Sequence, residues 1–185
     1  MSGWGLASSF DRYAPSIWGL VAYTTPPAVS SNTFAPVSGD ALAFYTPAPG
    51  PVTLTNAWVN ITAGGTTLTA GQNLVGVANL AGSLLAVTGD QTAAWAGTGN
   101  MPAAPLVGGP IIVPGPFWSL LLSVGTAPPT FRSGAPTPGV DLGPSIGSGS
   151  IAVPYQRTAT LATALASFNP VLSGVGRNSI MIGWS

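Results

Sequence analysis

Four aspartates (Asp11, Asp40, Asp90, Asp141) and four arginines (Arg12, Arg132, Arg157, Arg177) are the whole charged inventory of this 185-residue chain, which has no His, Cys, Lys or Glu. The missing types carry most enzymatic chemistry. Proton transfer near neutral pH relies mainly on His, Glu or Lys. An activated nucleophile ordinarily has a His or Lys base beside it, and a zinc centre takes Cys or His. Paired Asp carboxylates, in the manner of a glycosidase, are the option that remains. Asp40 and Asp90 each directly follow a glycine (Gly39-Asp40, Gly89-Asp90), which is the pattern of turn and cap chemistry. Asp90 or Asp141 with loop carbonyls offers a calcium contact at most, without the repeated Asp spacing of a dedicated loop. Gly64-Gly65 and Gly108-Gly109 lead into no Lys-Ser/Thr pair and are turns, not phosphate cradles. The expectation is no enzyme, no catalytic residue, no resident metal and no cofactor.

Binding is the chemistry left open. Six Trp and four Tyr are many for this length, and aromatic faces flanked by amides are suited to sugar rings. Trp95 stands near Asp90, Gln91 and Asn100 in a turn-rich stretch. These four are the candidate ligand residues. The competing reading is that Trp95 caps the core, the commoner fate of a large aromatic at a strand end. Trp58 and Trp118 fall inside strands and are assigned to the core or to a subunit interface. Arg132 is expected either to pair with an Asp across a subunit contact or to remain solvated.

The elements that position these residues are strands. Twenty-five Gly and nineteen Pro punctuate short runs of Val, Ile, Leu, Thr, Trp and Phe, the pattern of an all-β sandwich or barrel. Residues 41–45, 52–61, 74–78, 84–88, 111–113, 117–124 and 179–184 read as strands. The apolar phase of 52–61 switches near Asn56, which implies a bulge or burial on both faces. Residues 79–83 form a hairpin loop, and residues 114–115 a turn between two strands. Residues 117–124 are apolar on both faces and therefore central. Asp90–Trp95 fits a helical turn with Asp90 as N-cap. Residues 126–150 read as loop. Residues 158–168 are the one helix candidate, with Leu161 and Leu165 at i and i+4, although the frequent Thr fits a strand nearly as well.

Residues 1–36 differ from the rest. Trp4, Phe10, Asp11, Arg12, Tyr13 and Trp18 lie among small residues and prolines. Such a segment has no core of its own. It reads as an extended N-terminal docking arm before a β-sandwich domain over 37–185, or as an edge strand of that same sandwich.

Composition constrains the partners. Hydrophobic residues make up 46% of the chain and charged residues 4%, against roughly 25% charged in a typical soluble domain. A surface with so few charges and zero formal net charge favours self-association. Phosphate binding needs clustered Lys and Arg, so nucleic acid is not an expected partner. The first twelve residues lack the basic and apolar regions of a signal peptide. Residues 101–125 are uncharged and apolar, but Pro102, Pro105, Pro110, Pro114 and Pro116 break them, which is incompatible with a lipid-exposed helix.

A series of segments resembles one family. Val52–Trp58 runs into Leu68–Asn73, then Val75–Val77, Gly82–Ala86 and Asp90–Trp95, followed by Pro116–Leu120 and Gly125–Arg132. In this order they resemble a β-sandwich domain of virion proteins from phages that infect Actinobacteria. The resemblance covers roughly residues 50–134 and brings no catalytic residues. It implies a virion structural or host-surface-binding protein, here read as an antiparallel, jelly-roll-like sandwich of the minor tail or fibre type, and a homotrimer is expected because tail and capsid appendages commonly use threefold symmetry. The implied partners are a tail hub and host cell-wall glycan. A capsid decoration or head-fibre protein docked on the capsid is the first alternative, and a free carbohydrate-binding module the second.

Overall fold

Six consecutive buried residues, Phe117–Leu122, form the centre of a five-stranded antiparallel sheet. The computed structural model describes residues 14–25, 27, 30–134, 155–170 and 180–185. Ala41–Thr46 and Leu74–Ala78 flank the central strand. Tyr155–Ala159 pairs beyond the first and Leu84–Val87 beyond the second. Side chains alternate across a strand, so Phe117 and Leu121 enter one cluster while Trp118, Leu120 and Leu122 enter another. Both faces of this sheet are therefore buried, as the apolar run predicts.

The facing sheet is built around Asn56–Ala63. Ala57 has Trp184 as one register partner and Ala104 as the other, and Ile61 has Phe131 and Gly99. Ala22–Tyr23 continues outward from Ile182–Trp184, and Asn32–Phe34 from Thr130–Ser133. These two outer strands come from residues 22–34, inside the stretch that reads as an arm. The inward side chains Val59, Ile61, Phe131, Ile182 and Trp184 meet Leu42, Phe44, Val77, Phe117 and Leu121 of the other sheet. Each such side chain contributes about 1.5–3 kcal/mol through burial. Trp184 also donates its Nε1–H to Ser119 Oγ at 2.8 Å, which satisfies a polar pair inside the core. The expected antiparallel all-β sandwich is thus the fold.

The outer face of the five-stranded sheet is covered by residues 160–170. This segment is not a helix. Its chain leaves the strand at Ala159, and Leu161 adopts a positive φ of 54°. Leu161 is 86% exposed while Leu165 is 7% exposed, so the i, i+4 pair shares no face. Pairing of Tyr155–Ala159 with Ala41–Thr46 takes the Thr-rich start into a strand instead. The segment then acts as a strap. Ala162 N–H donates to Gly39 O at 2.8 Å and Phe168 N–H to Gly82 O at 2.9 Å. Leu165 lies over Gly76, where a Cβ would come within 2.8 Å of its Cδ1. Phe168 and Tyr45 each meet the Trp118 ring edge-on, at 5.8 and 5.9 Å.

Three further expectations change in detail. The 52–61 run is two strands, Val52–Leu54 and Asn56–Ala63, and the first pairs with Ile111–Val113 in a small sheet of its own. The phase switch marks the residue where the chain passes between sheets. The turn expected at 114–115 does lie between two strands, Ile111–Val113 and Phe117–Leu122, and it carries the chain from that small sheet into the five-stranded one. Within 126–150, Gly125–Ala127 pairs with Thr66–Leu68, and Thr130–Ser133 joins the larger sheet. Register with neighbours, not local propensity, makes these short strands. The rest of that range, 135–150, lies outside the described residues. The hairpin at 79–83 forms as expected, with Asn79 Oδ1 accepting from Ser83 N–H at 2.9 Å. The strand expected over 179–184 is Ile182–Trp184.

Candidate functional site

Trp95 is no ligand platform. It closes a four-residue helix, Thr92–Trp95, is 1% exposed, and packs edge-on against Phe131 at 5.1 Å. The single helical turn aims the indole inward, so it caps the core. The N-cap position belongs to Gln91, one residue later than expected. The Asp90 carboxylate instead accepts from the Thr92 hydroxyl at 2.8 Å and from Thr92 N–H at 3.3 Å. Burial alone would raise its pKa. Hydrogen bonds from the Gly71, Thr92 and Asn73 backbones and the Thr92 hydroxyl together outweigh that and hold it below the ordinary value.

This corner is centred on Asn73, whose residue is wholly buried. Its Nδ2 donates to Thr69 O at 2.8 Å and to Thr92 Oγ1 at 3.0 Å. Its Oδ1 accepts from Ser123 Oγ at 2.8 Å and Val124 N–H at 3.1 Å. Gln91 spends its side chain on Gly89 O and its N–H on Asn73 O, both at 2.8 Å. Asp90 and Gln91 therefore clasp three turns together. Asp40, the other described carboxylate, pairs with Arg157 at 3.3 Å and ties Tyr155–Ala159 to the turn before Ala41–Thr46.

Of the four candidate ligand residues, Asn100 alone joins a surface array. Along Asn56–Ala63 the burial pattern alternates, with Ala57, Val59 and Ile61 buried and Asn56, Trp58, Asn60 and Thr62 on the outer face. Asn60 Nδ2 donates to Asn100 Oδ1 at 2.6 Å, and Asn60 Oδ1 accepts from Arg132 Nε at 3.2 Å. Arg132 Nη1 donates to Ser30 O at 3.2 Å. Arg132 is in register with Thr33, which is exposed. A polar row thus runs Asn100–Asn60–Arg132–Thr33 across four strands. No carboxylate pairs with Arg132 among the described residues. Trp58 lies two residues along the strand from Asn60, part exposed, its Nε1–H donated to Ser185 Oγ at 3.0 Å. Its register partner is Gly183, where the missing Cβ leaves room for Leu20.

Sequence reading places Trp58 in the core or at an interface and misses its link to this row. The signal was present in the strict alternation of Asn56, Trp58, Asn60 and Thr62, which forces one common face. Among the arm residues, Trp18 ends the 3-10 helix Pro15–Trp18 and is 46% exposed. Trp4, Phe10, Asp11, Arg12 and Tyr13 lie outside the described residues. Elsewhere a shallow apolar groove of about 350 Å³ separates the 79–83 loop from the 113–117 turn, lined by Leu80, Leu85, Val113, Pro114, Pro116 and Phe117. Leu80 and Leu85 are largely exposed there, as is nearby Ile112.

No protein family, curated protein or solved structure matches this chain. Its class rests on its own geometry: an antiparallel β-sandwich with a polar, nearly uncharged outer sheet face.

Proposed function

We propose that this chain is a non-catalytic structural protein of a phage virion, a tail-associated appendage that assembles from several copies and touches host cell-surface glycan. The observation that carries the binding-and-assembly reading is the fate of the carboxylates. Asp40 and Asp90 are each consumed in holding turns of the fold together. The serial resemblance over 50–134 supports the virion assignment. The near absence of charge and the apolar groove support association between copies, with a trimer as the expected state.

The test is to purify particles from cells carrying the gene, identify their proteins by mass spectrometry and place this chain by antibody labelling. Expected is a constant copy number per particle, with label at the tail. Label on the head moves the chain to the capsid-decoration alternative. Absence from particles overturns the virion reading. The outer-face row beside Trp58 favours one second reading, a free carbohydrate-binding module. Light scattering on the full chain separates the two, since a monomer at all concentrations removes the appendage model.

A further inference from the structure

We propose that the Asn100–Asn60–Arg132–Thr33 row, together with Trp58, is the glycan site, and that it takes an acidic oligosaccharide whose carboxylate reaches Arg132. This rests on the reading of the chain as a glycan-contacting protein and names the site and the sugar class.

The row carries unused hydrogen-bond donors. Within the row, Asn60 is the link: its carbonyl oxygen takes the Arg132 Nε–H and its amide nitrogen gives to Asn100. Those bonds fix three side chains in one orientation before any ligand arrives, which lowers the ordering cost of binding. They also leave a definite surplus. Arg132 has used Nε and Nη1 on protein atoms, so Nη2 is free among the described residues. The Asn100 amide nitrogen has no protein acceptor among them either. The oxygens of Asn60 and Asn100 each already accept one bond, which leaves the row richer in free donors than in free acceptors. The face therefore offers hydrogens and one positive charge, and asks for a ligand rich in acceptors and negatively charged.

Dimension and shape select a sugar over a small anion. Three strand spacings of roughly 4.8 Å make the row about 14 Å long, a span matched to several linked rings. Trp58 sits about 7 Å along the strand from Asn60 by the usual rise per residue. It offers an apolar face whose orientation is held through the Ser185 bond. Sugar rings present an apolar C–H face and a polar rim, and this pairing of indole with amides and guanidinium complements both. The charge complementarity is specific to this face, because Arg157, the other described cation, is already paired with Asp40.

The experiment is calorimetric titration of the full chain with trigalacturonate, with neutral maltotriose and with inorganic phosphate, at low and high salt. Expected is binding of trigalacturonate that weakens with salt, and weaker or no binding of maltotriose. Arg132→Gln is expected to weaken trigalacturonate binding by about tenfold or more and to abolish the preference for acid over neutral sugar. Asn100→Ala, at an exposed edge position, serves as the variant that keeps the fold, and a several-fold loss is expected. Trp58→Phe retains part of the affinity and Trp58→Ala loses it, with the thermal transition recorded for each. Equal binding of acidic and neutral sugars, unchanged by Arg132→Gln, overturns the acidic-ligand assignment and leaves glycan contact standing. Phosphate that binds as tightly and competes reduces the site to a simple anion contact and overturns the proposal. No sugar binding overturns the site outright, while the virion reading is decided separately by particle composition.

Discussion

Replacing Leu165 and Leu161 separately by Ala tests the strap directly. The residues are four apart in one short segment, so a helix would bury both on one face and penalise both alike. The structure puts Leu165 at 7% exposure over Gly76 and Leu161 at 86%. Leu165→Ala removes three buried carbons, about 2.4 kcal/mol at ~0.8 kcal/mol each. A cavity adds to this, but a strap at the surface can settle into it, so the lower part of the roughly 2–5 kcal/mol range for buried Leu→Ala applies. We expect a loss of about 2.5–3 kcal/mol. Leu161→Ala is expected to fall within about 0.5 kcal/mol of the parent. Equilibrium urea unfolding followed by Trp fluorescence reads both, at two protein concentrations so that self-association is detected as a shift in midpoint. Equal losses for the two variants would refute the strap and restore a helix. A loss below about 1 kcal/mol for Leu165→Ala would mean that the strap does not seal the outer sheet face.

Gly82→Ala attacks the other end of the same strap. Its φ is +81° and a Cβ would lie 2.0 Å from Phe168 O, so we expect release of Phe168 from Trp118, a fall of several degrees in Tm, and increased binding of an apolar dye. Asn73→Ala is expected to cost about 2–4 kcal/mol in urea unfolding, because it orphans Val124 N–H and Ser123 in a buried corner. Asp90→Asn tests the clasp through pH. Its folded pKa is depressed, so its stabilisation is present above about pH 4 and is lost as pH falls through the folded value. The variant should therefore be less stable than the parent at pH 7 and should narrow that gap in acid, as read by thermal melts across pH. Burial raises the Tyr23 pKa, so its contribution is intact below about pH 10 and is lost as pH rises through the folded value. Tyr23→Phe should flatten that alkaline limb of the melting curve.

The sheet centres were legible in the sequence because their physics is local. Phe117–Leu122 is apolar on both faces and has strands on both sides, and residues 74–88 carry a hairpin with its own Asn and Gly turn chemistry. The edges were not legible. Ala22–Tyr23 and Asn32–Phe34 are too short to show a period, and only their partners at Ile182–Trp184 and Thr130–Ser133 make them strands. The helix expected over 158–168 failed because two leucines four apart satisfy a helical template by coincidence, and tertiary pairing of the preceding residues prevailed. The candidate site was half visible. Asn100 stands out in the sequence for its neighbours along the chain, yet its partner in space is Asn60, from a strand about forty residues away, which in turn holds Arg132 on its other side. Trp95 takes the core-capping place that is the commoner fate of a large aromatic, and Trp58 lies part exposed on the outer sheet face. Which indole faces water depends on the direction a turn points, and that is set by packing on Phe131.

The strand Leu84–Val87 has a consequence for solubility. An outermost strand normally invites another chain to add on, and many proteins deter this by lysines placed along it. This chain has no lysine at all. At both ends of that strand the outward backbone groups are instead plugged from within: Leu84 N–H by Ser167 Oγ at 2.9 Å, and Val87 O by Val107 N–H at 2.8 Å. Physical plugging takes the place of electrostatic repulsion, and it is insensitive to salt. At this one edge, the addition of a further strand is therefore hindered by the fold's own hydrogen bonds rather than by charge.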